Sequence, residues 1–202
     1  MKRLIDILNK SNLSDYKINV HEKEAEELFY VLDKLEVSRS VREKKIHVTI
    51  YVDVDNKRGS SSFEYLENMD DEDLLKVIND KVYAAKFALN QFYEIPHKSE
   101  EKPFEIPSNL ANISLKEACE LCVEAVFKAD TYKEGYLSAT EFFIEKHHER
   151  VINSRGVDVE FNTYKGFIEL IPSWQKDDDE VETYNTITFS SLDTNEITRK
   201  VD

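Results

Sequence analysis

A stretch of alternating side chains at residues 46–54 constrains the fold more than any other feature of the sequence. It reads Ile-His-Val-Thr-Ile-Tyr-Val-Asp-Val, so apolar and polar or aromatic residues take turns, and most of them are β-branched. This period of two is typical of a strand with one buried face. Turn residues at 55–59 and a second run at 60–66 follow. Because such short links cannot hold a parallel crossover, the sequence predicts three to five antiparallel strands between residues 16 and 66.

The rest of the chain alternates between helical and strand periodicity. The spacing of apolar residues predicts helices over residues 2–10, from Asp70 to Leu89, and from a Ser114 cap to Ala129. Further strands are expected at 140–152, 157–161, 167–171 and 184–189, with an acidic loop at 176–182. The predicted fold class is α+β, with antiparallel sheets and helices packed on one face. The order is helix–meander–helix and then helix–meander.

A proline-rich and charged segment suggests an internal boundary. Residues 95–110 hold three of the four prolines and the charge run Lys-Ser-Glu-Glu-Lys at 98–102. Such a composition is typical of an extended linker. We therefore expect one domain over residues 1–202, made of sub-lobes at 1–94 and 111–202.

The charge balance and the cysteine content limit the classes of partner. With 41 acidic and 27 basic side chains, the net charge is −14, which argues against a surface that follows nucleic-acid phosphates. No apolar run approaches the roughly 20 residues that span a bilayer. Two cysteines cannot form a disulfide framework in a chain of 202 residues. We expect a cytoplasmic protein with no nucleic-acid or membrane partner.

Cys119 and Cys122 form the first candidate for chemistry. A zinc site needs four ligands, and the chain has no second cysteine pair. A thioredoxin-type site lies between a strand and a helix, whereas these residues fall within an apolar helical stripe. We interpret them as small buried apolar residues.

Histidine and serine candidates also lack the spacing that catalysis requires. His147 and His148 would point to opposite faces of a strand, and no His-Glu pair has a second His one helical turn later. Ser61 lacks the glycine-flanked elbow of a hydrolase nucleophile. Trp174 and Tyr184, beside the acidic loop, could line a groove, although single aromatic residues usually serve packing. The sequence therefore predicts no catalytic, cofactor-binding or metal-binding residues.

One short segment carries a family resemblance. Residues 151–159 read Val-Ile-Asn-Ser-Arg-Gly-Val-Asp-Val and resemble the amino-terminal half of the TldD/PmbA family, with Asn153, Ser154 and Gly156 as the structural turn of its motif. Four other segments also match and occur in the order that the family has them: residues 36–39, residues 59–62, the segment after Asp70, and residues 191–197. The chain departs from the family at 46–51, where a glycine-containing strand is typical.

The resemblance implies a non-catalytic domain. Family members are zinc metallopeptidases and their partner subunits, once called modulators of DNA gyrase. Their His-Glu-x-x-x-His motif lies beyond Asp202, so zinc is expected only in a downstream domain. Whether this chain itself belongs to an enzyme stays open. The implied role is to form a dimer, either a homodimer or a heterodimer with a paralogue, and to wall a cleft that admits an extended peptide for proteolysis.

Two other interpretations remain open from the residues. One is a stand-alone binding or scaffold protein, or an inactive partner subunit that needs no metal. The other is a small hydrolase that uses His147 or Ser61.

Overall fold

The computed structural model describes residues 1–100, 106–131 and 134–202 and confirms the α+β class. Within these ranges the helices are α1 (Lys2–Lys10), α2 (Asp71–Ala85), α3 (Leu115–Ala129) and α4 (Thr194–Val201). The strands are β1 (Asp15–Val31), β2 (Lys34–Val54), β3 (Lys57–Glu64), β4 (Leu89–Gln91), β5 (Gly135–Asn153), β6 (Asp158–Lys176), β7 (Asp179–Glu182) and β8 (Asn185–Phe189). These described strands form one eight-stranded sheet in the order β4-β3-β2-β1-β5-β6-β7, with β8 also paired to β6.

Two tight hairpins connect the first three strands. Asp55 and Asn56 have φ angles of 49° and 60°, the left-handed pair that a two-residue hairpin turn requires, so the turn is shorter than the 55–59 predicted. β2 then pairs with β3 in antiparallel register, with Ile50 opposite Ser61. Leu32, in the link from β1 to β2, also has a positive φ of 56° although it is a leucine.

The first compact unit consists of Met1–Glu22, Lys44–Phe104 and His148–Phe161. Helices α1 and α2 bury an apolar face against strands β1, β2 and β3. Gly59 is required where β3 meets α2, because a Cβ there would lie 1.8 Å from the carbonyl oxygen of Ala85. Fully buried members of this core include Leu4, Leu8, Ile18, Val48, Ile50, Leu74 and Ile78.

The second compact unit consists of Lys23–Glu43, Glu105–His147 and Asn162–Asp202. Helices α3 and α4 cover one face of its strands. The Ser114 hydroxyl caps α3 by accepting from the amide of Glu117, as predicted, and Asp193 caps α4 in the same way. Its core includes Cys122, Val126, Phe142, Ile144, Ile168, Leu170 and Ile187.

Both units take segments from each side of the predicted linker at 95–110, of which residues 101–105 lie outside the described residues. The sub-lobes at 1–94 and 111–202 remain a prediction. No helix in the described part of the chain is long and apolar enough to cross a bilayer.

The predicted acidic loop at 176–182 contains a strand. The turn at Asp177, where φ is 54°, reverses the chain, and β7 pairs back onto β6 with Trp174 opposite Val181. β8 continues in the same register, with Leu170 opposite Asn185. Between them Thr183 donates its amide to the carbonyl of Pro172 at 2.9 Å, but proline has no N–H to return the bond. Residues 179–189 are therefore one strand, interrupted at a proline in its partner.

Candidate functional site

The turn singled out in the sequence lies between β5 and β6 in the first unit. The Asn153 side-chain oxygen accepts hydrogen bonds from the amides of Arg155 (2.9 Å) and Val157 (3.1 Å), and its Nδ2 donates to the Pro96 carbonyl at 2.7 Å. Gly156 has a φ of 85°, a conformation that favours glycine. The asparagine and the glycine thus shape the turn itself.

The two residues between them bind a buried carboxylate, Asp15, at the start of β1. The Ser154 hydroxyl donates to Asp15 Oδ1 at 2.5 Å, and Arg155 makes a bidentate contact of 2.7 and 2.9 Å. Arg58 Nη2 adds a third donor at 2.8 Å. Burial would raise the pKa of Asp15, but the hydrogen bonds from Arg155, Ser154 and Arg58 lower it. Asp15 is therefore a stable anion that ties β1 to the turn.

Arg58 is the centre of this cluster and is fully buried. It also forms a bidentate pair with Asp53, at 2.7 and 2.9 Å. The rings of Phe92, Tyr51 and Tyr93 lie 4.8 to 5.8 Å from its guanidinium carbon. Two arginines balance two carboxylates, and the hydroxyl of Ser154 is occupied as a donor. The arrangement has the chemistry of a structural clasp.

The cysteines lie where the apolar stripe predicted them, buried on α3 in the second unit. Burial raises the pKa of both Cys119 and Cys122 to about 12, so neither is a thiolate near neutral pH. The prediction that they are small buried apolar residues is confirmed.

His147, His148 and Ser61 are not brought together. The ring of His147 lies 3.0 Å from Glu145, whereas that of His148 lies 3.7 Å from Glu160. Ser61 is in the middle of β3, opposite Ile50, and not at a strand-to-helix turn. Across residues 1–100, 106–131 and 134–202, no group of three or more His, Cys, Asp or Glu is placed to hold a metal ion.

The strand at residues 179–189 offers an accessible backbone edge in the second unit. Among the described strands only β6 pairs with it, so its other side is open. The Thr183 amide points towards β6, and backbone groups alternate along a strand. The amides of residues 180, 182, 184, 186 and 188 therefore point outward. An open edge of this kind can pair with another extended chain.

Sequence reasoning predicted the second half of this edge as a strand at 184–189, but it missed the first half because the acidic residues at 176–182 suggested a loop. Trp174 and Tyr184 were the available signal, and both side chains are at least half exposed. Tyr184 donates its hydroxyl to Glu169 at 2.8 Å, and Trp174 stands on β6 opposite Val181. Both aromatic residues therefore lie beside the edge strand, but on opposite faces of the sheet, because Trp174 shares its face with Val181 and Tyr184 alternates with that set.

Comparison with known proteins identifies the fold. No protein-family profile and no curated protein sequence matches the chain. Among solved structures, TldE from Thermococcus kodakarensis matches 100% of the chain at 16% identity and a TM-score of 0.67. Proposed modulators of DNA gyrase from Thermotoga maritima MSB8 (19% identity, TM-score 0.67) and Bacteroides thetaiotaomicron VPI-5482 (11%, 0.68) each match 99% of it.

The chain spans a little less than half the length of these structures, at 46%, 45% and 47%. The resemblance drawn from residues 151–159 is confirmed at the level of the fold, because the matching proteins carry the names that the resemblance predicted. At these identities the likeness shows a shared fold.

Proposed function

We propose that the chain is the amino-terminal domain of a cytoplasmic TldD/PmbA-type protein, and that it binds an extended peptide and forms a dimer without catalysing a reaction. The observation that carries this proposal is the fold match to TldE and to two proposed gyrase modulators over 99–100% of the chain. The family motif at Asn153, Ser154 and Gly156 supports it. Proteolysis, with zinc as its cofactor, would belong to a downstream domain.

The open edge at residues 179–189 supports peptide binding. An extended peptide that adds to a sheet edge is held by backbone hydrogen bonds, so its affinity depends little on its sequence. Exposed positions on both sides of the edge leave room for side chains of an added strand. A peptidase that accepts unfolded chains needs this kind of sequence-tolerant contact.

Exposed apolar side chains on the β1–β2 hairpin support dimerisation. Val31, Leu32, Leu35 and Val37 are 44 to 52% exposed. Clustered apolar residues on a surface commonly mark a protein contact. The hairpin is therefore our candidate surface for a second copy of the chain or for a paralogue.

A proline substitution tests the peptide edge. Thr186→Pro removes one outward amide and leaves the bonds to β6 in place, because the residue 186 amide points away from β6. We expect it to weaken binding of a fluorescein-labelled unstructured peptide at least fivefold in fluorescence anisotropy. Thr186→Ala, which keeps the amide, should bind as the unmodified chain does. Equal binding by both variants, each with an unchanged melting temperature, would argue against this edge.

A charge substitution tests the dimer surface. Leu35→Asp should shift the chain from dimer towards monomer in sedimentation velocity. Leu66→Asp is the matched control, since Leu66 is exposed to a similar degree (51%, against 44% for Leu35) but belongs to the first unit and not to the hairpin. A monomeric unmodified chain at tens of micromolar would contradict a homodimer, and mixing with a paralogue would then test the heterodimer.

The second candidate is a stand-alone binding or scaffold protein, or an inactive partner subunit without metal. It would use the same edge and hairpin, so the gene sequence beyond codon 202 separates the two. A downstream His-Glu-x-x-x-His supports the peptidase, and an immediate stop codon supports the scaffold. Zinc-dependent peptidase activity from these 202 residues alone would contradict both.

A further inference from the structure

A cavity of about 280 Å³ opens beside the edge strand in the second unit. Its walls are mainly apolar and include Leu137, Leu170, Val181 and Val201, with Trp174 at the same site. This volume suits one large side chain rather than a drug-sized ligand.

The cavity exists because the helices end before the strands do. α3 ends at Ala129 and α4 at Val201, and both residues line the cavity. Leu170, under the helices, is 2% exposed, whereas Trp174, four residues further along β6, is 50% exposed. The face that forms the core of this unit thus continues as an uncovered apolar surface.

The strand register decides which edge residues face the cavity. Trp174 pairs with Val181 and Leu170 with Asn185, and directly paired residues share a face. Val181, Thr183 and Asn185 therefore face the cavity. Glu180 and Glu182 alternate with them and face the other way, where Glu182 accepts a hydrogen bond from Ser173 at 3.0 Å.

The charges around the site are mostly negative. Asp130 lines the cavity, and Asp179, Glu180 and Glu182 are exposed along β7. The lysine at the cavity, Lys200, is already paired with Glu196 at 2.8 Å. A ligand that complements this surface carries positive charge beside its apolar group.

We propose that this cavity seats one bulky apolar side chain of an extended peptide paired with residues 179–189, and that Lys or Arg residues next to it face Glu180 and Glu182. The inference rests on the proposed function, because it requires strand addition at this edge. Side chains alternate along the added strand, so the residue in the cavity is flanked by two that face the carboxylates. The preferred sequence is basic–apolar–basic.

A peptide series tests the inference in the unmodified chain. The probe is a fluorescein-labelled, Ser- and Gly-flanked Lys-Phe-Lys peptide, compared with Lys-Ala-Lys and Glu-Phe-Glu versions. We expect the loss of the phenyl group to weaken binding about tenfold or more, because a buried aromatic ring contributes that much. The Glu-Phe-Glu peptide should bind more weakly still at low salt, with the difference falling as salt screens the charges.

Two threonines provide a matched pair of variants. Thr183→Trp fills the cavity, whereas Thr188→Trp places the same side chain on the opposite face of the same strand. Thr183→Trp should abolish the preference for Phe over Ala, and Thr188→Trp should keep it. Glu182→Gln should reduce the preference for Lys-Phe-Lys over Glu-Phe-Glu.

The outcomes separate the inference from the proposed function. If the Phe and Ala peptides bind equally and Thr186→Pro weakens both, strand addition stands and the cavity inference is overturned. If no peptide binds, the proposed function fails with it. If Thr183→Trp instead changes the dimer in sedimentation velocity and leaves peptide binding unchanged, the occupant is a second copy of the chain and the peptide inference is wrong.

Discussion

At the scale of single residues, Asp15 shows how much of the structure depends on one buried charge. It is 2% exposed and accepts hydrogen bonds from Ser154, Arg155 and Arg58. We expect Asp15→Asn to lower the free energy of unfolding by about 3–5 kcal/mol, because it leaves Arg155 without its carboxylate and leaves the buried Arg58 with Asp53 alone. Urea unfolding of the two chains measures this difference in the free energy of unfolding. Asp71→Asn, at an exposed pair with Arg3, should change stability far less, because solvent screens that pair.

The same carboxylate predicts an acid dependence. Its pKa is lower in the folded chain than in the unfolded one, so its contribution is fully present above the unfolded pKa of about 4. The contribution is lost as the pH falls below 4 through the folded pKa. The free energy of unfolding should therefore decline more steeply between pH 4 and pH 2 in the unmodified chain than in Asp15→Asn. Parallel pH profiles for the two proteins would show that Asp15 is not the group responsible.

The two cysteines should be unreactive in the native protein. Burial raises the pKa of both thiols to about 12, so almost no thiolate is present at pH 8. A thiol reagent such as Ellman's reagent should label neither residue within minutes, and should label both once urea unfolds the chain. Rapid labelling without denaturant would contradict the buried placement.

The positions of some of these residues could be predicted from the sequence, and the position of Asp15 could not. Cys119 and Cys122 could be placed because the apolar helical stripe is a local pattern. The turn at Asn153 could be placed because its chemistry is local too. Asp15 could not, since its partner Arg155 is 140 residues away and no periodicity connects them.

At the scale of elements, a missing side chain controls how α2 approaches β3. A Cβ at Gly59 would meet the Ala85 carbonyl oxygen at 1.8 Å, and backbone cannot move aside cheaply. At Gly166 a Cβ would meet the Phe189 ring at 2.1 Å, but that is a side chain. We expect Gly59→Ala to destabilise the chain by about 1–3 kcal/mol more than Gly166→Ala in urea unfolding. The reverse order would mean that α2 shifts without cost.

The interrupted strand at 179–189 marks the limit of reading elements from sequence. Its first half contains Asp179, Glu180 and Glu182, residues with low strand propensity, so the local pattern favours a loop. Pairing with β6 overrides that preference. Pro172 then divides the strand by removing one donor from β6, an effect that belongs to the partner strand and not to the residues that it interrupts.

At the scale of the whole molecule, the net charge of −14 predicts behaviour towards DNA. Two of the matching structures are proposed modulators of DNA gyrase. An acidic chain is repelled by duplex phosphates, so we expect no mobility shift of a duplex by micromolar protein at 150 mM salt. A shift that weakens as salt rises would reveal a segregated basic surface and contradict this expectation.

The fold class could be predicted because alternation and short links are visible along the chain. The composition of the compact units could not. Strands such as β1 and β5, of 17 and 19 residues, contribute to both units, so each unit collects three separate segments. A proline-rich segment at 95–110 indicates a break in regular structure, but it does not reveal which distant segments pack together.

The composition of the first unit also affects when it folds during synthesis. Tyr16 is hydrogen-bonded to Ser154, 138 residues later, and residues 148–161 complete the same unit. A ribosome that adds about 5–20 residues per second needs roughly 7–30 seconds to bridge that separation. Throughout this time the edge of β1 that pairs with β5 stays open, because β5 (Gly135–Asn153) has not yet been synthesised. We therefore expect a chaperone at the exit tunnel to bind the nascent chain early and to release it only after residues 148–161 have been synthesised.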